Sequence, residues 1–129
     1  MPQYMALLYN EPGDEDTERE RWALLPRWNE VTNRLREAGV HVANAALHDP
    51  GSATTLRVRD AKLELRDGPF ATTKEILAGY YLLDCADLDE ALAWARKIPM
   101  PGGKVEVRPV MDYEAAGSEA HSNAAEAAR

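Results

Sequence analysis

A few residues of this chain have types and spacing suited to chemistry. His48 stands directly before Asp49 and is the one histidine of the domain body with a carboxylate beside it. An imidazole titrates near neutrality, so His48 is a candidate general base. The plainer reading is an exposed turn histidine, because His48-Asp49-Pro50-Gly51 is turn chemistry. Asp67-Gly68-Pro69-Phe70 is the second candidate. In one reading Asp67 and Phe70 roof a pocket and Asp67 serves as a catalytic carboxylate. In the other, Asp67 bonds backbone two residues on, Gly68 before Pro69 is extended, and Phe70 anchors the loop. Lys74 either meets an anionic ligand or is solvated, and it points away from its neighbour Glu75 if both lie on a strand. Trp28 with Tyr9, Tyr80 or Tyr81 either lines an aromatic pocket or packs in the core. The candidate set is therefore His48 and Asp67 for catalysis, and Trp28, Asp67, Phe70, Lys74 and Tyr80 for ligand binding.

Other chemistries are argued against. The 129 residues carry 15 Lys+Arg against 22 Asp+Glu, a net charge of −7. Nucleic-acid binding needs clustered cations for counterion release, so it is not expected. Three scattered histidines and the single Cys85 make no zinc spacing, and no metal is expected. Neither a phosphate-loop glycine motif nor a nucleophile elbow is present, and no cofactor is expected. One thiol forms no internal disulfide, which suits a cytoplasmic protein, and Cys85 at the end of an apolar run reads as a packed, inert thiol. No run approaches the roughly 20 apolar residues of a membrane span.

The elements that must hold these residues follow from periodicity. Gln3–Tyr9 and Ile76–Leu83 are strands apolar at both parities, which predicts two covered faces. Asp14–Ala38 is helical, with an acidic start and the stripe Leu24, Trp28, Val31, Leu35, Ala38. Pro26 interrupts it: either the helix starts near Leu24 with Pro26 in its first turn, or a short helix precedes a kink. Gly39 suits a C-terminal cap. Val40–Leu47 is a weaker strand. Thr54–Arg66 is a hairpin in which Leu56 faces Leu65, Val58 faces Leu63 and Arg57 faces Glu64, if Asp60-Ala61 is its loop. Ala61 fits a tight primed turn poorly and argues for a wider loop. Asp87-Leu88-Asp89-Glu90 is a capping box opening a helix with the stripe Leu88, Ala91, Leu92, Ala95, Ile98. Val105–Val110 is a final edge strand.

Without the hairpin, the order is strand-helix-strand-strand-helix-strand, the ferredoxin-like arrangement. The expected fold is α+β: a domain over residues 1–113 with an antiparallel sheet, two helices on one face and an inserted hairpin, followed by a polar tail over 114–129. Two helices cover one face only. The other face of the central strands is left apolar, which predicts a homodimer packing sheet on sheet.

Several blocks in order then resemble a known family. Asp67-Gly68-Pro69-Phe70 with Lys74-Glu75, Gly79-Tyr80-Tyr81-Leu82-Leu83-Asp84, Ala86-Asp87-Leu88-Asp89-Glu90-Ala91 and Val105–Val110 look like the DGPF proteins of the YCII-related family. Tyr4–Tyr9 and Leu35–Val40 match its usual pattern, so the resemblance covers about residues 3–112. It implies a dimeric α+β barrel of ferredoxin-like subunits. It also implies a regulatory link to extracytoplasmic-function sigma factors through gene context, alongside a suggested His–Asp acid–base chemistry in relatives. The position of that family histidine falls on Trp28 here. The family's Gly-Glu-Gly-Leu stretch is Asn44-Ala45-Ala46-Leu47, and its Glu after Phe-Ala is Thr72. These departures favour a noncatalytic regulatory or small-ligand-binding dimer. The alternative is an enzyme acting on a small organic molecule in a cleft near His48 and the Asp67–Phe70 loop.

Overall fold

The computed structural model of the protein describes residues 1–71 and 74–114. Thr72 and the expected tail beyond Glu114, including His121, lie outside the described residues. Strands β1 (Gln3–Asn10), β2 (His41–Ala46), β5 (Ile76–Asp84) and β6 (Lys104–Pro109) form one antiparallel sheet in the order β2-β5-β1-β6. Strands β3 (Thr54–Arg59) and β4 (Lys62–Asp67) form a separate two-stranded sheet. Helices α1 (Glu15–Ala23), α2 (Leu25–Glu37) and α3 (Leu88–Ala95) complete the described fold.

Three helices stand where two were expected, because Pro26 splits the first one. Proline has no N–H to return to the preceding turn, so it is tolerated only where a new helix begins. The chain stops α1 at Leu24, whose N–H bonds to Arg21 O at 3.1 Å, and restarts α2 with Pro26 in its first turn. Asp14 caps α1 by accepting from Thr17 N at 2.9 Å, and this bond holds the Asp14 carboxyl below its usual range. Helix α1 buries none of its residues. At the other end of α2, Gly39 takes φ +72°. The Val40 N–H reaches Leu35 O and the Gly39 N–H reaches Arg36 O, both at 3.0 Å. Those are the two bonds of a Schellman cap, and the flanking Leu35 and Val40 are both buried in the core.

One parity of the sheet meets the helices. Ala6 and Leu8 of β1 and Tyr81 and Leu83 of β5 join Leu35, Val40, Cys85, Ala91 and Ile98 in the core. The opposite parity pairs Met5 with Leu82 and Leu7 with Tyr80, and Ala43 and Ala45 of β2 continue those two rows. These side chains are only half-buried, so the expectation of two covered faces on β1 and β5 holds for one face of the single chain. Helix α3 departs from its expected stripe. It buries Ala91 and Ala95 and leaves Leu88 and Leu92 exposed. Its capping box forms, with Asp87 accepting from Glu90 N at 2.9 Å, while the Glu90 carboxylate takes the Ala86 N–H at 3.3 Å.

The hairpin keeps the expected register, with Leu56 opposite Leu65, Arg57 opposite Glu64 and Val58 opposite Leu63. Its loop is two residues, not wider: Asp60 and Ala61 both take positive φ, at 52° and 62°. That is the backbone of a primed turn, which matches strand twist, and here it outweighs the poor fit of alanine.

Candidate functional site

The end of the sheet beside α1 opens into a cleft of about 420 Å³. The β1–α1 connection supplies Asn10, Pro12 and Gly13. Helix α1 supplies Glu18, Arg21 and Trp22, the segment after β2 supplies Leu47, His48 and Asp49, and the start of β5 supplies Ile76, Leu77 and Ala78. One backbone bond and one side-chain bond tie the walls together. Leu47 N–H bonds to Ala78 O at 2.7 Å, extending the β2–β5 pairing into the cleft wall. Arg21 donates to Glu11 O at 2.7 Å, tying α1 to the loop that precedes it. At Gly79 a Cβ would lie 2.4 Å from Ala45 O, so this close pairing of β2 and β5 admits only glycine. The wall is apolar at Trp22 (71% exposed), Leu47 and Leu77, and polar at Glu18, Arg21, His48 and Asp49.

The expected site residues are dispersed. His48 lines the cleft beside Asp49. Asp67 ends β4, and Phe70 is 82% exposed; neither borders the cleft. Gly68 sits at φ +95°, not in the ordinary extended region expected before proline, so the loop needs its glycine. Its N–H bonds to Ala53 O at 2.7 Å and its carbonyl accepts from Thr55 Oγ1 at 2.8 Å, which closes the base of the hairpin. Lys74 is exposed, while Glu75 is held by Lys104 at 2.6 Å.

Trp28 and Tyr80 part company across the sheet. Trp28 stacks on Tyr81 with ring centroids 6.1 Å apart, and Tyr80 projects at the opposite parity. Tyr81 Oη lies 2.6 Å from Thr32 Oγ1, which itself donates to Trp28 O at 2.9 Å. Thr32 has one hydroxyl hydrogen and gives it to that carbonyl, so Tyr81 is the donor of the shared bond. His41 meets Tyr81 edge-on and bonds Asn44 Oδ1 at 2.7 Å. The aromatic set thus forms a satisfied packing layer under α2. Cys85 is fully buried, and burial first, then Glu90, Asp84 and Asp87, pushes its thiol up to about 11. At neutral pH it is protonated and a poor nucleophile.

Comparison with known proteins decides the lineage. The YCII-related domain matches residues 2–114. The chain belongs to the YCII-related family. A relative from Rhizobium meliloti (strain 1021), described as an uncharacterized protein, is 37% identical over 116 residues, spanning 86% of this chain and 94% of its own length. Among the described residues of this YCII-related chain, no group of three or more His, Cys, Asp or Glu is placed to hold a metal, and no helix is long and apolar enough to cross a membrane.

Sequence reasoning reached His48 and missed Trp22, Arg21 and Glu18. The available signal was Trp22 itself, a large aromatic in a helix with no apolar stripe and no buried residue.

Proposed function

We propose that the protein is a homodimeric small-ligand-binding module whose ligand occupies the cleft between α1 and the start of β5. The supporting observation is that Trp22, Leu47 and Leu77 line one small-molecule-sized space together with Glu18, Arg21, His48 and Asp49. Binding sites of this size pair an apolar lining with a few placed polar groups. The fitting ligand is a small organic molecule with a flat apolar body and one ionisable end. Trp22 stacks the body, while Arg21 and His48 or Glu18 and Asp49 meet the charged end according to its sign.

The strand order β2-β5-β1-β6 supports a ferredoxin-like subunit. The half-buried row of Met5, Leu7, Tyr80 and Leu82 supports a dimeric α+β barrel built by packing two such faces together. The sigma-factor link implied by family gene context adds no residue to the cleft; in this proposal a sigma factor is the reader of the ligand state. A second reading, enzymatic acid–base chemistry, has one observation in its favour: His48 and Asp49 line the same cleft.

A thermal-shift and fluorescence screen of small aromatic acids and amines tests the binding reading. A bound compound whose affinity collapses in Trp22→Ala supports it; hits that bind Trp22→Ala equally well overturn it. Turnover of such a compound, lost in His48→Gln with binding retained, supports the enzyme reading instead.

A further inference from the structure

We infer that the β3–β4 hairpin is an arm that crosses to a second copy of the chain and closes that copy's α1–β5 cleft. The inference rests on the dimer and cleft proposed above.

The first ground is the arm's own composition. Leu56, Val58, Leu63 and Leu65 share one face of the hairpin and are 63%, 66%, 62% and 66% exposed. The two strands pair with each other and, among the described residues, join no other strand. An isolated two-stranded hairpin is marginal in water and needs a third surface against its apolar face. The described part of its own chain supplies none.

The second ground is area. The sheet face of Met5, Leu7, Tyr80 and Leu82 is half-buried, and the four apolar side chains of the arm are exposed. A standard stable interface takes about 800 Å² from each partner. The arm's exposed apolar stripe adds to the sheet face in meeting that area. In a two-fold dimer both arms contribute, which doubles the gain.

The third ground is where such an arm can land. Its six-residue strands reach about 20 Å from the base clamped at Gly68. The cleft is concave, with Trp22, Leu47 and Leu77 exposed on its wall, and it receives a narrow convex ribbon. Charge agrees. The arm's other face carries Arg57, Arg59, Lys62 and Arg66 against Glu64 in a chain of net charge −7, and Arg59 stands directly opposite Lys62. Like charges so placed repel within one arm. Long stems of this kind reach around a ribbon edge toward Glu18 and Asp49, which line the partner's cleft together with its single cation among the described residues, Arg21. A ligand in that cleft is then roofed by Val58 and Leu63 of the other copy, and the site is complete only in the dimer.

The test mixes two singly substituted proteins, Leu63→Cys and Leu47→Cys, under mild oxidation. Native Cys85 is buried and stays silent. The expected result is a covalent heterodimer in yield well above a control mixture of Leu63→Cys with Arg36→Cys. Equal yields overturn the inference, as does a crosslink that forms within one chain when Leu63→Cys and Leu47→Cys are combined and diluted. In parallel, Leu63→Ser is expected to weaken dimerisation about tenfold or more, the loss of one buried leucine per arm. A Leu63→Ser protein that dimerises and binds cleft ligands as tightly as the parent sinks the arm while leaving the sheet-packed dimer and the cleft intact.

Discussion

The two antiparallel ladders of this chain follow the same alternation and end in opposite conditions. In the four-stranded sheet, Ala6, Leu8, Tyr81 and Leu83 find α2 and α3 inside the same chain and vanish from solvent. In the β3–β4 hairpin, Leu56, Val58, Leu63 and Leu65 meet no covering surface among the described residues and stay exposed. Pattern sets which side chains share a face; only the surrounding chain sets whether that face is buried. One face is covered within the chain, and the other is exposed in it.

Substitutions break this comparison in order of size. Leu83→Ala removes a fully buried side chain and should cost about 2–5 kcal/mol in urea unfolding, whereas Leu63→Ala on the arm should change unfolding of the dilute monomer by about 0.5 kcal/mol or less. Next comes the hydrogen-bond layer. Thr32→Val strands the buried Tyr81 hydroxyl and should cost about 1–3 kcal/mol. Tyr81→Phe leaves the Thr32–Trp28 bond in place and should cost less, and a reversed ranking would contradict the donor assignment. Cys85 gives the pH arm of the comparison. Burial and the nearby carboxylates raise its folded pKa from the ordinary 9.0 to about 11. Between those values the unfolded chain loses the proton first, so the contribution is complete below about pH 9 and fades as pH rises toward 11. Urea midpoints should fall across that window in the parent and less so in Cys85→Ala. Smallest is the arm's turn. Ala61 at φ 62° carries a left-handed strain of about 1 kcal/mol, which Ala61→Gly should relieve, visible as slower amide exchange in the hairpin.

Much of the fold was legible, for identifiable reasons. The hairpin register followed from Leu56–Leu65, Arg57–Glu64 and Val58–Leu63, because cross-strand pairs are local. Gly39 announced its cap because only a left-handed C-terminal residue satisfies the Leu35 and Arg36 carbonyls. Pro26 announced a break and left open whether the segment before it is helical; the Asp14 cap on Thr17 accompanies the helical outcome. Helix α3 misled. Leu88 and Leu92 suit an apolar stripe, yet the small Ala91 and Ala95 allow closer approach to the sheet, and the larger residues turn outward. The site was harder. His48 was found by type alone. Asp67–Phe70 drew attention by composition; within it Gly68 closes the base of the hairpin, and neither Asp67 nor Phe70 lines the α1 cleft. The contribution of α1 was hidden because its residues converge on the cleft only through long-range packing.

The contrast between sheet and arm is tested most directly by amide hydrogen exchange followed against protein concentration. The sheet amides of Ala6–Leu8 and Tyr81–Leu83 should be protected at every concentration. The arm amides of Leu56–Val58 and Leu63–Leu65 should exchange fast in the dilute protein and become protected as the dimer fills. Arm amides that are protected in the dilute monomer, or that exchange freely in a fully formed dimer, would contradict the account.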